Sequence, residues 1–475
     1  MKIIIPSIDF SKKKITLLIF FITLLVIINY GCRKYVDIKQ SSTQGTLETV
    51  EDCQLMLDNY TVMNTKYPSD QEVSADDYYL SDAGYNSGAL TQTDRDLYVW
   101  APNAIRPGAG PDWIGCYKAI YYANLVLEAV DKLKSGSTNQ TALNNIRGSA
   151  LFFRSFNFWQ IAQLYAKPYT ASSSGQDPGI PLRLNSDING VSTRGTVEQT
   201  YRQITQDLLE AVGLLSSTSS VPSRPNKAAA YALLARVYLS MENYPQALTN
   251  ASSALQLNSQ LIDYNTLDLN STTPFYPRFN KEVIFHSISS INPALDPNNG
   301  YGDYGNISLD LVNSYQQNDL RKSVFFKSNG DGTYRFSGNY EGTDYPSTFF
   351  NGLAVDELYL IRSECYARAG NVASAMSDLN TLLRTRWASN TYSDMSATNA
   401  DDALAKVLSE RRKELLMRGL RWTDLRRLNK DTRFAITLSR TVMGITYTLP
   451  PNDPRYTLLI PQEVINNSSI TQNPR

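Results

Sequence analysis

The sequence predicts a mostly α-helical fold, a helical-repeat scaffold with long loop-rich inserts. Three observations predict it. Apolar residues recur at helical spacing through most of the long stretches. Residues 227–255 and 355–384 carry the same small and aromatic residue types at matching offsets. Between them, Asn258–Asn351 is rich in Gly, Asn, Asp and Pro and poor in helical period, the character of a functional or poorly ordered insert.

The chain begins with an export signal. Lys2, Lys12, Lys13 and Lys14 precede Ile15–Ile28, which is apolar apart from Thr16 and Thr23 and short for a bilayer span. It ends at Asn29-Tyr30-Gly31-Cys32, where Gly31-Cys32 resembles a lipoprotein processing site with Cys32 as the lipidated residue. An uncleaved membrane anchor is the alternative. The organisation expected is a signal peptide over 1–31, a lipidated polar tether over 32–46 and one helical domain over 47–475.

Leu47–Met63 reads as a first amphipathic helix. Asn64–Gly110 turns loop-like, with Asp76, Asp77, Tyr78, Tyr79, Tyr85, Tyr98 and Trp100 among Gly, Ser, Asn and Pro. Trp113–Leu133 returns to helix, with Trp113, Tyr117, Ile120, Ala123, Asn124 and Leu127 on or beside one face. Leu143–Tyr165 is a long aromatic helix, followed by the short extended Gly179-Ile180-Pro181-Leu182. In Arg194–Leu215, Thr196 and Gln199 have the spacing of a capping box.

Lys227–Leu255 places Ala235, Tyr238, Ala247, Ala251 and Ala254 at the small and aromatic positions of a tetratricopeptide helix pair. Alanines let two antiparallel helices approach, and the tyrosine fills the gap between repeats. Val355–Arg384 repeats this with Ser363, Tyr366, Ala375, Leu379 and Leu382 around Gly370-Asn371. Inside the insert, Asn329-Gly330-Asp331-Gly332 predicts a hairpin turn. Ser409–Leu428 then reads as helix, a stop at Gly419 and a second short helix. Glu410, Arg411, Glu414, Arg421 and Asp424 make an Arg–carboxylate network at that elbow, and Trp422 restarts the apolar pattern.

Composition excludes several function classes. Basic and acidic residues number 45 each, and no basic stripe stands out, so nucleic acid is not an expected partner. His286 is the single histidine; it argues against His-rich zinc sites and a Ser–His–Asp triad and reads as structural. Cys53, Cys116 and Cys365 show no CxxC spacing and are expected as buried thiols. Glycoside hydrolysis needs two carboxylates about 5–10 Å apart across a cleft. Asp76 and Asp77 are adjacent and have no identifiable partner, so no enzyme, cofactor or metal site is predicted. Asp296–Asp303 is preferred as a solvated loop over a calcium site, because Gly300 falls where a ligand is wanted.

The elbow also carries a resemblance. Glu410, Arg411, Glu414, Leu415, Gly419, Arg421, Trp422, Asp424, Leu425 and Arg427 fit the C-terminal signature ER-x-x-EL-x-x-EG-x-RW-x-DL-x-R of the SusD/RagB family of Bacteroidetes outer-membrane nutrient-binding lipoproteins. Met417 and Arg418 depart where the family has an aromatic and an acid. Trp113…Tyr117…Ala123-Asn124, the Ala229–Leu239 stretch and the closing Leu459-Ile460-Pro461 and Gln472-Asn473-Pro474 are similar to further family stretches in the same order. The resemblance implies a SusD-like fold and capture of an oligosaccharide or peptide for a SusC-like TonB-dependent channel. It also implies a lipid anchor on the outer membrane, facing the exterior. Sugars need aromatic faces with amides beside them. The aromatic loops therefore offer Tyr98, Trp100 and Asn103, with Tyr301, Tyr304 and Asn306, as ligand contacts; in starch-binding members a Trp-rich loop at the first of these places supplies part of the site. Oligopeptide capture, as in the RagB branch, and a tetratricopeptide interaction scaffold stand as alternatives.

Overall fold

Ten helices of eight residues or more build the body of the described chain. They are α1 (Val50–Leu57), α2 (Pro111–Leu133), α3 (Gln140–Tyr165), α4 (Val197–Leu214), α5 (Lys227–Ser240), α6 (Tyr244–Leu257), α7 (Val355–Arg368), α8 (Val372–Leu383), α9 (Ala400–Glu414) and α10 (Arg421–Leu428). The computed structural model describes residues 47–134, 139–269, 276–296, 305–342 and 348–475. Cys32, Tyr301, Tyr304, the signal peptide, the tether and most of Asp296–Asp303 lie outside them. Glu48–Arg475 holds together as one compact unit.

The helices stack as a continuous array. α2 packs on α3, α3 on α4, α4 on α5, α5 on α6, α6 on α7, and α7 on both α8 and α9. The two tetratricopeptide-like pairs, α5–α6 and α7–α8, are therefore neighbours although the insert separates them in sequence. Ala247, Ala251 and Ala254 of α6 and Ala375 of α8 are fully buried, the close approach that small residues permit. α3 is buried along almost its whole length from Gly148 to Tyr165 and forms the centre of the body. Gly148 is required there, since a Cβ would stand 2.9 Å from Leu215 Cγ at the end of α4. The Thr196–Gln199 capping box forms as predicted.

The insert differs from expectation. Its described part is not loose: Tyr264, Tyr276, Glu282, Arg321 and Tyr340 are all buried. Val283–Phe285 pairs with Leu353–Ala354, which brings the two ends of the insert together beside α5. Phe326–Ser328 and Tyr334–Phe336 flank the predicted hairpin turn, where Gly330 and Gly332 take φ of +90° and +91°. That hairpin extends through Asn306–Ile307 to Tyr78–Tyr79, so a strand from the first loop region completes a four-stranded sheet. The Asn64–Gly110 stretch holds the short helices Asp70–Ser74, Asp82–Tyr85 and Gln92–Tyr98 instead of open loop. After α10, Leu438–Val442 and Ile445–Leu449 form a hairpin that the sequence did not signal. Cys53, Cys116 and Cys365 are free and buried.

Candidate ligand-binding site

The charged elbow is a fastening and not a cleft. α9 stops at Glu414, and Gly419 takes φ +71° before α10 begins, so the break needs a residue without a side chain. Arg321, fully buried, reaches Asp319 at 2.7 Å, Glu410 at 2.6 Å and Glu414 at 3.0 Å. Arg386, equally buried, joins Glu414 at 2.7 Å to Glu282 at 2.9 Å. Asp424 accepts from Arg411 and Arg427, and Arg427 grips Glu364 of α7 at 2.6 and 2.8 Å. Burial pushes the Glu364 carboxyl up, but Arg427 outweighs it and holds it down at about 2. Trp422 is fully buried and its ring lies 4.8 Å from that of Tyr456. The insert, α7 and the C-terminal helices are thus tied at one node.

The same node consumes the carboxylates that a hydrolase would need. Arg421 binds Asp76 at 2.7 Å and Arg412 binds Asp77 at 2.8 Å. Glu72 accepts the Gly419 N–H at 2.7 Å, is buried, and its second oxygen finds no partner among the described residues. Burial, with Asp77 beside it, pushes the Glu72 carboxyl up to about 8. A carboxyl so perturbed often marks an active site. Here the void next to it holds about 10 Å³, too small for any substrate. The consequence is thermodynamic. An unfolded glutamate titrates near about 4.3, so between roughly that pH and 8 the folded chain binds the extra proton and stability falls as pH rises. Glu72→Gln keeps the acceptor for Gly419 and removes the ionisation. Its melting temperature is expected to match the parent near pH 5 and exceed it at pH 8; identical pH profiles by calorimetry would contradict this assignment. Asp112, also raised to about 8 by burial and by Asp70, keeps part of the slope in the variant.

His286 is structural, as read. It is fully buried, its Nδ1 lies 3.2 Å from the Tyr60 hydroxyl, and burial holds its pKa down at about 3.

The aromatic loop residues lie elsewhere than expected. Tyr98 and Trp100 are 1% and 4% exposed. The Tyr98 hydroxyl accepts from Leu80 N, and Trp100 Nε1 donates to Ser74 O at 2.9 Å. The Arg440 guanidinium covers both rings, at 4.0 and 4.7 Å from their centres, and donates to the carbonyls of Val73, Ala75 and Tyr98. A cation and a ring that desolvate each other bind well, so this stack glues the first loop region to the C-terminal hairpin. Neither ring is open to a ligand. Asn306 is buried in its strand and accepts from Asn329. Of the described candidates only Asn103 is exposed.

An open aromatic cleft is found on α2 instead. Trp113, Tyr117 and Tyr121 follow one another every four residues and so share a face. The Trp113 and Tyr117 rings are 4.8 Å apart, and Tyr117 Oη donates to Pro181 O at 2.9 Å, which leaves part of its ring and that of Tyr121 facing a cavity of about 390 Å³. Arg183, Asn185 and Asn467 line the same cavity. That lining is built: Asn124 Nδ2 donates to the carbonyls of Arg183 and Asn185, and its Oδ1 accepts from Arg154, itself clamped on Asp207. Arg183 in turn holds Gly190 O and Ser192 Oγ. Half-open ring faces sharing a cavity with amides and a guanidinium are what a sugar ring requires. Trp113 and Tyr117 are legible in the sequence as part of one helix face; Tyr121 beside them, and Arg183, Asn185 and Asn467 from distant segments, carry no signal of their own.

Two family models match the chain. One, described as starch-binding and associating with the outer membrane, matches residues 34–239; the other, described as the SusD family, matches 356–475. The chain belongs to the SusD/RagB family. Its SusD-like fold agrees with solved structures. A Bacteroides vulgatus protein described as sugar-binding superposes with a TM-score of 0.73 at 22% identity, over 91% of this chain and 99% of that one. A SusD superfamily protein from Bacteroides thetaiotaomicron gives 0.71 at 22%, over 90% and 100%. A SusD-like carbohydrate-binding protein from Bacteroides vulgatus gives 0.64 at 18%, over 86% and 94%. No curated protein matches. Among the described residues no helix is long and apolar enough to cross a membrane.

Proposed function

We propose that this SusD/RagB family member captures an oligosaccharide at the α2 cleft and delivers it to a SusC-type TonB-dependent channel of the outer membrane. The observation that carries the reading is the ladder Trp113–Tyr117–Tyr121 sharing one cavity with Arg183, Asn185 and Asn467. A sugar ring stacks on the half-open tyrosines while the amides and guanidinium meet its hydroxyls. The starch-binding description of the family supports a carbohydrate ligand. Exposed Asn103 belongs to the proposal as a further contact, and Tyr301 and Tyr304 belong to it as candidates from the sequence alone. Capture proceeds without catalysis, in keeping with the ion pairs that occupy Asp76 and Asp77.

Lipid on Cys32 holds the protein on the outer membrane, facing outward. The Gly31-Cys32 pair after an apolar run supports this. Cys32→Ala is expected to move the protein from the membrane fraction to the soluble one; unchanged fractionation would contradict it. The function is tested by affinity electrophoresis and calorimetry against a polysaccharide panel and a set of oligopeptides. Binding to at least one glycan is expected. Binding to peptides alone would favour the peptide-capturing branch.

A further inference from the structure

A second, larger basin of about 630 Å³ lies between the loop that follows α3 and the closing segment of the chain. Its chemistry is unlike that of the aromatic cleft. Lys167, Lys430 and Arg426 line it, together with Asp177 and Asp453. Both acids are already neutralised. Asp177 takes Lys167 at 2.7 Å and the Ser173 hydroxyl at 2.6 Å, and Asp453 takes Arg455 at 2.8 Å. Lys430 donates to Tyr169 O at 2.7 Å and pairs with Glu242 at 2.5 Å.

Arg426 is the unbalanced charge. It is 2% exposed, and its two terminal nitrogens donate to the carbonyls of Gln163 and Ala166 at the C-terminal end of α3. Those acceptors are neutral. Among the described residues no carboxylate pairs with it, and its Nε hydrogen has no acceptor. Burial drags its pKa down to about 10, the mark of a cation that lacks a counter-ion. Along the same wall, the Asn429 side-chain nitrogen and the Tyr456 hydroxyl are buried and make no hydrogen bond of standard geometry. A desolvated cation and unspent donors are costly when left alone and gain most from an arriving anion.

The basin also says which anion fits. A single carboxylate balances the one unpaired guanidinium, and the ring that carries it can donate hydroxyls to the two aspartates while accepting from Thr170 and Asn452. We propose that this basin binds the carboxylate of an acidic sugar unit, so that the captured glycan contains uronic acid residues. This rests on the reading of the protein as a glycan-capturing one and narrows the class of glycan.

Calorimetry with trimers of galacturonate, glucuronate and mannuronate, each against its carboxyl-reduced form, tests the proposal. At least one acidic trimer is expected to bind about tenfold or more tightly than its reduced form. The gap should shrink in about 0.5 M NaCl. It should also vanish in Arg426→Gln, while Arg426→Lys, which keeps the charge, retains it; the melting temperature taken on both samples checks that they fold. Equal binding of every acid and its reduced form, or an unchanged gap in folded Arg426→Gln, overturns the assignment. So does a preference for peptides with a free C-terminal carboxylate over their amides, shown by no acidic trimer. Reduced trimers that bind with no gain from the acid would sink the basin and leave glycan capture standing; failure of every trimer and every polysaccharide would sink both.

Discussion

Replacing Arg321 with alanine is expected to destabilise the protein by about 3–5 kcal/mol, the cost of leaving buried carboxylates without their partner. Among the described residues, Arg321 alone holds Asp319, Glu410 and Glu414 together. Without it Glu414 keeps Arg386 and Glu410 keeps Lys413. Asp319 keeps the Lys413 ammonium at 3.7 Å and the backbone N–H of residue 321 at 3.1 Å. Against a total of about 5–15 kcal/mol for a typical protein, the loss is large. Its pH dependence follows from the sign of the shift. Burial pushes Asp319 up, but Arg321 outweighs it and holds the folded pKa below the unfolded value. The pair therefore stabilises above about pH 4 and the benefit is lost as pH falls through the folded pKa. The deficit of the variant should accordingly narrow in acid. Urea denaturation at pH 7 and near pH 3 measures both effects. Arg384→Ala is the contrast, since its pair with Asp394 is half exposed on both sides and is worth about 0–1 kcal/mol.

Trp100→Ala is expected to cost about as much, roughly 3–5 kcal/mol, as buried aromatic truncations do. The ring is packed under Arg440, its N–H satisfies Ser74 O, and its removal strips one face from a guanidinium that Tyr98 and Tyr78 would then cover. Trp100→Phe restores a ring but leaves Ser74 O unmet, for a loss of about 0.5–1.5 kcal/mol. Both variants, once folded, should bind glycan as the parent does. Parent-like melting with lost affinity would return Trp100 to the ligand site.

Local rules made the scaffold legible. Helix periodicity, the Thr196 cap and the two alanine-rich pairs are each encoded within a turn or two of chain, and the structure has them where they were expected, except that the helix expected over Leu47–Met63 breaks after Leu57 and α9 ends at Glu414, ahead of Gly419. The elbow was readable as an ion-pair network, yet its decisive partners were not. Arg321, Arg386, Asp76 and Glu364 come from four remote segments, and charge alone does not say which will meet. The insert misled by composition, because Gly, Asn and Asp can cover a core of Tyr264, Tyr276 and Tyr340 as well as an open loop. Aromatic content misled in the same way. Tyr98 and Trp100 pack on an arginine 340 or more residues away, while the aromatics with open faces sit on a helix whose periodicity argues for core. Periodicity locates a face, and only the far wall decides whether that face is covered.

The central claim is that ligand is met on α2 at Tyr121 and not at the Tyr98–Trp100 stack. Calorimetric titration of Tyr121→Ala with the best-binding oligosaccharide, with the melting temperature taken on the same sample, tests it most directly. The side chain is half-buried and makes no hydrogen bond that the fold depends on among the described contacts. Affinity is expected to fall about tenfold or more, the loss of one stacked ring, with melting nearly unchanged. Parent affinity in Tyr121→Ala, together with loss of binding in Asn103→Ala, would contradict it.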